Sequence, residues 1–212
     1  MFQKLFNPDN GLMIALSQVG DCIFLSLFWV LCCFPVFTVG ASSVALYDAS
    51  VRAYRKGDRH SWKRFFAVFS KHIKAGLFPT LVFIPAFAAL CYLLIQVWNR
   101  AVWGEISWVL FSAVAFIGVL LLGILHIMFP LLSRFETTGA ALIKNTILLG
   151  LANLPRTIAL GFLNAVAVLM YAKLVFPLFF LPALIALIGS LFLEPMFKPY
   201  MPQEPSEAED AA

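Results

Sequence analysis

Five stretches of the chain, residues 22–47, 75–99, 106–133, 157–172 and 174–193, carry no Asp, Glu, Lys or Arg. A helix needs roughly 20 apolar residues, rising ~1.5 Å each, to cross a hydrocarbon core of ~30 Å. The first three stretches exceed that length and the fifth meets it. The fourth has 16 residues and rises only about 24 Å. It closes the gap if Lys173 extends toward the headgroups and the helix starts slightly before Thr157. With 62% hydrophobic and 12% charged residues, a water-soluble fold would lack the polar surface to cover its apolar side chains, so lipid must cover part of the molecule. The sequence predicts an all-α membrane protein, a bundle of five transmembrane helices over residues 1–200.

The charges between these stretches predict orientation. Eight of the 15 Lys and Arg residues fall within 48–74: Arg52, Arg55, Lys56, Arg59, Lys63, Arg64, Lys71 and Lys74. Residues 134–156 add Arg134, Lys144 and Arg156, and the C-terminal segment adds Lys198. In a five-span chain these segments share one side, leaving Lys4, Arg100 and Lys173 on the other. The richer side faces the cytoplasm, which predicts N-terminus out and C-terminus in. The basic residues crowd against apolar spans, so an anionic lipid leaflet or a cytoplasmic protein is the expected counter-charge, not nucleic acid. No cleavable signal peptide is expected, because Lys4, Asp9 and Asp21 interrupt the N-terminus.

Two inner connectors read as amphipathic helices. In the first, Trp62, Phe65, Phe66, Phe69 and Ile73 recur at helical spacing among Lys63, Arg64, Lys71 and Lys74. This helix is expected to rest at headgroup level or to dock a cytoplasmic partner. The second places Leu142, Ile143, Ile147 and Leu151 on one face, beside Lys144, Asn145 and Asn153. The acidic tail, residues 204–210, lacks a core-forming residue and is expected to be disordered.

Few residues offer chemistry. Proline follows phenylalanine at Pro35, Pro79, Pro130 and Pro177, and each removes a helical hydrogen bond. Pro35 and Gly40, five residues apart, form the best candidate for a broken helix. Beyond them Ala41, Ala45, Ala49 and Ala53 make a small-residue seam suited to close packing. His126 is the one ionisable side chain inside the long apolar runs, and an ionisable residue at that depth is a candidate functional group. Arg134 and Glu136 flank the end of its span, and Glu136 is a candidate partner for an arginine of the basic loop. Cys22, Cys32, Cys33 and Cys91 have neither zinc-finger nor redox spacing. No nucleophile triad, phosphate loop or metalloprotease motif is present, so no enzyme and no cofactor is expected.

Several of these pieces together resemble the YesL-like family of bacterial multi-pass membrane proteins, a family defined by a domain of unknown function. They are Phe34-Pro35-Val36-Phe37-Thr38-Val39-Gly40-Ala41, then Ala45-Leu46-Tyr47, then Trp62-Lys63-Arg64-Phe65-Phe66 with Phe69. Phe129-Pro130-Leu131-Leu132-Ser133-Arg134-Phe135-Glu136 completes the set. The resemblance implies a bacterial plasma-membrane protein, often encoded beside carbohydrate ABC-transporter and sugar-degradation genes. It implies no established activity and no functional residues. The expected function is a non-enzymatic accessory of carbohydrate uptake or sensing, with a sugar ABC-transporter or sensor component as partner. The alternative is a small oligomeric transporter or channel.

Overall fold

Seven α-helices and no strand make up the described residues of the computed structural model, which are 11–56, 60–135, 137, 139–174 and 176–201. Side chains are described within these ranges except at residues 11–17, Arg55 and Lys56. The helices are α1 (Gly11–Cys33), α2 (Val39–Lys56), α3 (Ser61–Val102), α4 (Trp108–Arg134), α5 (Ala140–Ala152), α6 (Leu154–Lys173) and α7 (Leu181–Phe197). Short 3-10 turns occupy Val36–Thr38, Phe176–Phe179 and Lys198–Tyr200. The acidic tail lies outside the described residues.

Four helical segments are long and apolar enough to cross a membrane: Ser61–Val102, Trp108–Arg134, Leu154–Lys173 and Leu181–Tyr200. The first contains the predicted stretch 75–99 and continues the basic amphipathic helix without interruption. At 42 residues it extends about 63 Å, twice a hydrocarbon core. α4 and α6 match stretches 106–133 and 157–172, and α6 starts before Thr157 as its length requires. The stretch 174–193 does not form one helix. Pro177 holds a 3-10 turn there, and α7 begins only at Leu181, with Pro182 in its first turn.

The largest departure is at the first predicted span. Residues 22–47 are not one helix but most of a helical hairpin. α1 ends at Cys33, Pro35 takes an extended conformation, and α2 runs back. The Thr38 hydroxyl lies 2.6 Å from the Pro35 carbonyl, and Ser42 Oγ donates to Thr38 O at 2.9 Å. Thr38 N also donates to Pro35 O at 2.9 Å, so the turn is closed by backbone and side-chain bonds together. The two arms are antiparallel: Trp29 Nε1 donates to Ser43 Oγ (3.2 Å) near the tip, while Asp21 and Cys22 face Ser50, Ala53 and Tyr54 at the base. Ser61 Oγ donates to Asp21 Oδ1 at 2.7 Å. The start of the first predicted span therefore lies beside the basic connector, not at the opposite end of the molecule. That contact is not expected of one helix crossing straight through 22–47, the crossing on which N-terminus out is counted. The reason is tertiary: one proline and a close helix crossing reverse the chain where hydropathy alone allows it to run straight.

That crossing joins α2 to α3, the most extensive helix pair. Gly40 and Gly76 face each other so closely that a Cβ on Gly40 would fall on the Gly76 carbonyl oxygen. Thr80 Oγ1 accepts from Gly40 N at 2.8 Å and donates to Gly76 O at 2.7 Å, so one hydroxyl caps the start of α2 and ties it to α3. Ala41, Ala45 and Ala49 are fully buried, as the small-residue seam predicts. α4 and α6 cross on a second pair of glycines. A Cβ on Gly123 would meet Thr157 O, and one on Gly161 would meet Val119 O. Ser26 of α1 accepts from Ala183 N (3.1 Å), capping α7 from across the bundle.

Phe-Pro pairs have two fates. Pro35 and Pro177 interrupt helices, whereas Pro79 and Pro130 lie inside α3 and α4. In α5 the buried face is Leu142, Thr146, Leu149 and Gly150, while Ile147 and Leu151 are exposed. The predicted face is thus rotated. Gly150 lets the helix approach Ile124 of α4, and that contact outweighs the local apolar pattern.

Candidate functional site

Two features adjoin at Tyr47: a cluster of charged side chains and a partly open cavity between the helices. Asp48 stands at the centre of the cluster, on α2, with its side chain 5% exposed. Its Oδ2 accepts from Arg64 Nε of α3 at 2.7 Å, and its Oδ1 accepts from Arg52 Nε one turn on at 3.2 Å. Arg134 Nη1, from the last turn of α4, lies 3.7 Å from Asp48 Oδ1. The same guanidinium grips one oxygen of Glu194 on α7, with Nη2 at 2.6 Å and Nε at 3.2 Å. Tyr47 donates to that oxygen at 3.0 Å, and its ring lies 5.8 Å from the Arg134 guanidinium carbon. Four helices are thereby joined through charge-assisted hydrogen bonds in a largely buried setting.

Of the residues singled out in the sequence, Arg52, Arg64 and Arg134 enter this cluster. Arg134, at the end of its span, is linked to Arg64 of the basic stretch through Asp48, a residue not among those singled out. Glu136 and Arg59 lie outside the described residues, as do the side chains of Arg55 and Lys56. Lys63, Lys71 and Lys74 are exposed on α3, with Lys63 Nζ 5.4 Å from the centre of the Trp62 ring. The apolar face of this helix does not simply rest on a surface. Phe65 is fully buried, and Phe28 of α1 packs on Phe65 and Phe66 with ring centres 6.1 and 5.1 Å apart. Trp62 and Phe66 remain 50% and 42% exposed, and these are the positions left for lipid or a partner.

The cavity, about 330 Å³, lies between α1, α2, α3, α4, α6 and α7. Aromatic rings of Trp29, Phe83, Phe87 and Phe129 form much of its wall, with Pro130 beside them. His126 and Asn164 border it; His126 Nδ1 is 3.1 Å from Asn164 Oδ1, and Asn164 Nδ2 donates to Leu160 O at 2.7 Å. With the amide N–H so engaged, Asn164 Oδ1 accepts and the imidazole proton sits on Nδ1. His126 Nε2 is then an acceptor, buried and without a partner among the described residues. It abuts Gly189, whose missing Cβ makes room for the ring. Tyr47 borders the cavity and also belongs to the ion-pair cluster.

Sequence reasoning passed over Asp48, Glu194, Tyr47 and Asn164. A signal existed for two of them: Asp48 and Glu194 each follow directly on a charge-free run, 22–47 and 174–193. An acid placed there has no solvent to itself and needs a cationic partner. Among the described residues no three His, Cys, Asp or Glu side chains gather to hold a metal ion, and the four cysteines are unpaired.

Residues 22–92 match the model of a family described as "Protein of unknown function, DUF624". YesL-like proteins carry this domain, in agreement with the resemblance read from the sequence. The DUF624 segment contains the hairpin, its crossing on α3 and the cluster residues Tyr47, Asp48, Arg52 and Arg64. Arg134 and Glu194, which complete the cluster, lie beyond it. No curated protein and no solved structure matches the chain.

Proposed function

We propose that this is a non-enzymatic accessory protein of the bacterial plasma membrane, serving a carbohydrate uptake or sensing component through a basic cytoplasmic helix. One observation carries the accessory reading. Arg64, on the amphipathic part of α3, is linked by ion pairs through Asp48 and Arg134 to Glu194, so the basic surface is tied to the apolar helices. The carbohydrate connection rests on the family resemblance. The proposed partner surface is Trp62, Lys63, Lys71 and Lys74, with anionic lipid beneath it. A tagged protein should recover a sugar-transport or sensor component from mild detergent extracts. Reversing Lys63, Lys71 and Lys74 to Glu should abolish that recovery. If no such component rises above background with the wild-type protein, the reading fails.

The proposed topology has four spans, α3, α4, α6 and α7, with α1–α2 as a hairpin entering from the cytoplasmic side. Three observations support it. Asp21 and Ser61 share a hydrogen bond. Phe34, Val36 and Phe37 at the tip are 90%, 61% and 60% exposed, and Val19, Ile23, Phe24, Leu27 and Leu31 leave an apolar stripe on α1 that lipid covers. Trp98, Trp103 and Trp108 cluster at the α3–α4 turn, an interfacial aromatic belt. Among the described residues only Arg100 and Lys173 are then basic on the outer side, which strengthens the charge bias over that of five spans. In a cysteine-free background, a thiol at Gly104 should react with an impermeant reagent in intact cells. One at Val19 should react only after permeabilisation; labelling of Val19→Cys in intact cells would restore N-terminus out.

The small oligomeric transporter remains a second reading because the cavity places His126 inside the bundle of a single chain. Flux of a small uncharged solute in reconstituted vesicles, lost in His126→Ala, distinguishes it.

A further inference from the structure

The cavity beside His126 has a chemistry that narrows its contents. No Lys, Arg, Asp or Glu borders it, so nothing there neutralises a phosphate, a carboxylate or a cation. Its wall is dominated by aromatic and aliphatic side chains, which excludes a sugar, since most hydroxyls of a sugar would lose water without gaining a partner. Polar groups are few but placed. The Tyr171 hydroxyl has no hydrogen bond among the described residues. The His126–Asn164 pair and the Ser43 hydroxyl supply the others. At about 330 Å³ the space is roughly twice the ~150 Å³ apolar cavity known to admit benzene, and it falls within the usual range for small-molecule sites.

We propose that this cavity binds an uncharged, largely apolar small molecule carrying one hydroxyl, of the size of a two-ring phenol or a short-chain alcohol. The apolar body lies against Trp29, Phe83, Phe87 and Phe129, and the hydroxyl meets Tyr171. An occupant touches Tyr47, whose hydroxyl holds Glu194 and hence Arg134. This assignment does not depend on the accessory reading or on any partner.

The test uses the purified full-length protein at fixed detergent concentration, with 2-naphthol, naphthalene and glucose as probes. A ligand that binds the folded state raises its melting temperature in a saturable way. 2-Naphthol should do so, naphthalene should do so less, and glucose should not. Ala167 and Ala186 both border the cavity and are nearly buried. Ala167→Leu and Ala186→Leu fill the space from two different helices, α6 and α7, and each should weaken the 2-naphthol effect by about tenfold or more while the protein stays monodisperse. Tyr171→Phe should bring the 2-naphthol response down to that of naphthalene. Absence of a saturable shift in the wild-type protein overturns the proposal whatever the variants do. So does an equal shift in a filled variant that remains folded, which would mean simple partition into detergent, or a shift with glucose as large as with 2-naphthol.

Discussion

An Asp48→Ala protein should be less stable than wild type by about 3 kcal/mol, because removing one partner of a buried ion pair leaves uncompensated charge. Both carboxylate oxygens are engaged: Oδ2 by Arg64 at 2.7 Å, Oδ1 by Arg52 at 3.2 Å and by Arg134 at 3.7 Å. Without Asp48, Arg52 and Arg64 lose their acid and Arg134 keeps only Glu194. The Arg134 side chain is 18% exposed and has the least access to water as a substitute. Arg52 and Arg64, at 34% and 37% exposed, recover part of their hydration, which holds the loss to the lower end of the usual range for buried pairs. Arg52→Ala is the matched control. It removes one outer partner and should cost no more than about 1 kcal/mol. Melting temperatures in one detergent, compared across wild type, Asp48→Ala, Asp48→Asn and Arg52→Ala, decide the matter. Asn keeps an acceptor for one arginine and should fall between the other two. If Asp48→Ala and Arg52→Ala melt alike, the cluster is a surface network and not the link between α2, α3, α4 and α7.

How much of this arrangement was legible depended on range along the chain. Helix type followed from charge-free runs, because backbone groups in lipid have no partner but their own helix. The continuity of α3 from the basic stretch into the span was readable too, since no breaker separates Ser61 from Pro79. The break at Pro35 showed itself as a proline and a glycine five residues apart. Its consequence did not. Residues 22–47 are long enough to span, and only the contacts of Asp21 with Ser61 and of Gly40 with Thr80, each 40 residues apart, reveal a reversal. The charge count rests on the same stretch, because it takes 22–47 as one crossing. Glu194 is 60 residues from Arg134 and 147 from Tyr47, distances at which residue patterns carry no information. His126 was found by its isolation among apolar residues, while its partner Asn164 was hidden as one polar residue in a short span.

The reversal itself predicts the second large effect. Gly76→Ala should destabilise the protein by about 1–3 kcal/mol, the usual cost of forcing extra atoms into a packed crossing. The added Cβ would lie 2.6 Å from Ala41 N and 3.0 Å from Ala41 Cα. Both are backbone atoms and no rotamer change relieves them, so α2 must shift away from α3. That shift also stretches the Gly40 N–H bond to Thr80 Oγ1, the cap that starts α2 directly after the turn. Thr80→Ala removes the cap alone and should cost about 1 kcal/mol, less than the glycine change. Gly20→Ala provides the opposite sign. Nothing lies within 4 Å of a Cβ at Gly20 on α1, and alanine is favoured over glycine in a helix by up to about 1 kcal/mol. Its melting temperature should equal or exceed that of wild type. A rigid hairpin requires this ordering, with Gly76→Ala lowest, Thr80→Ala intermediate and Gly20→Ala highest. Equal melting of Gly76→Ala and wild type would mean that α2 is not seated on α3.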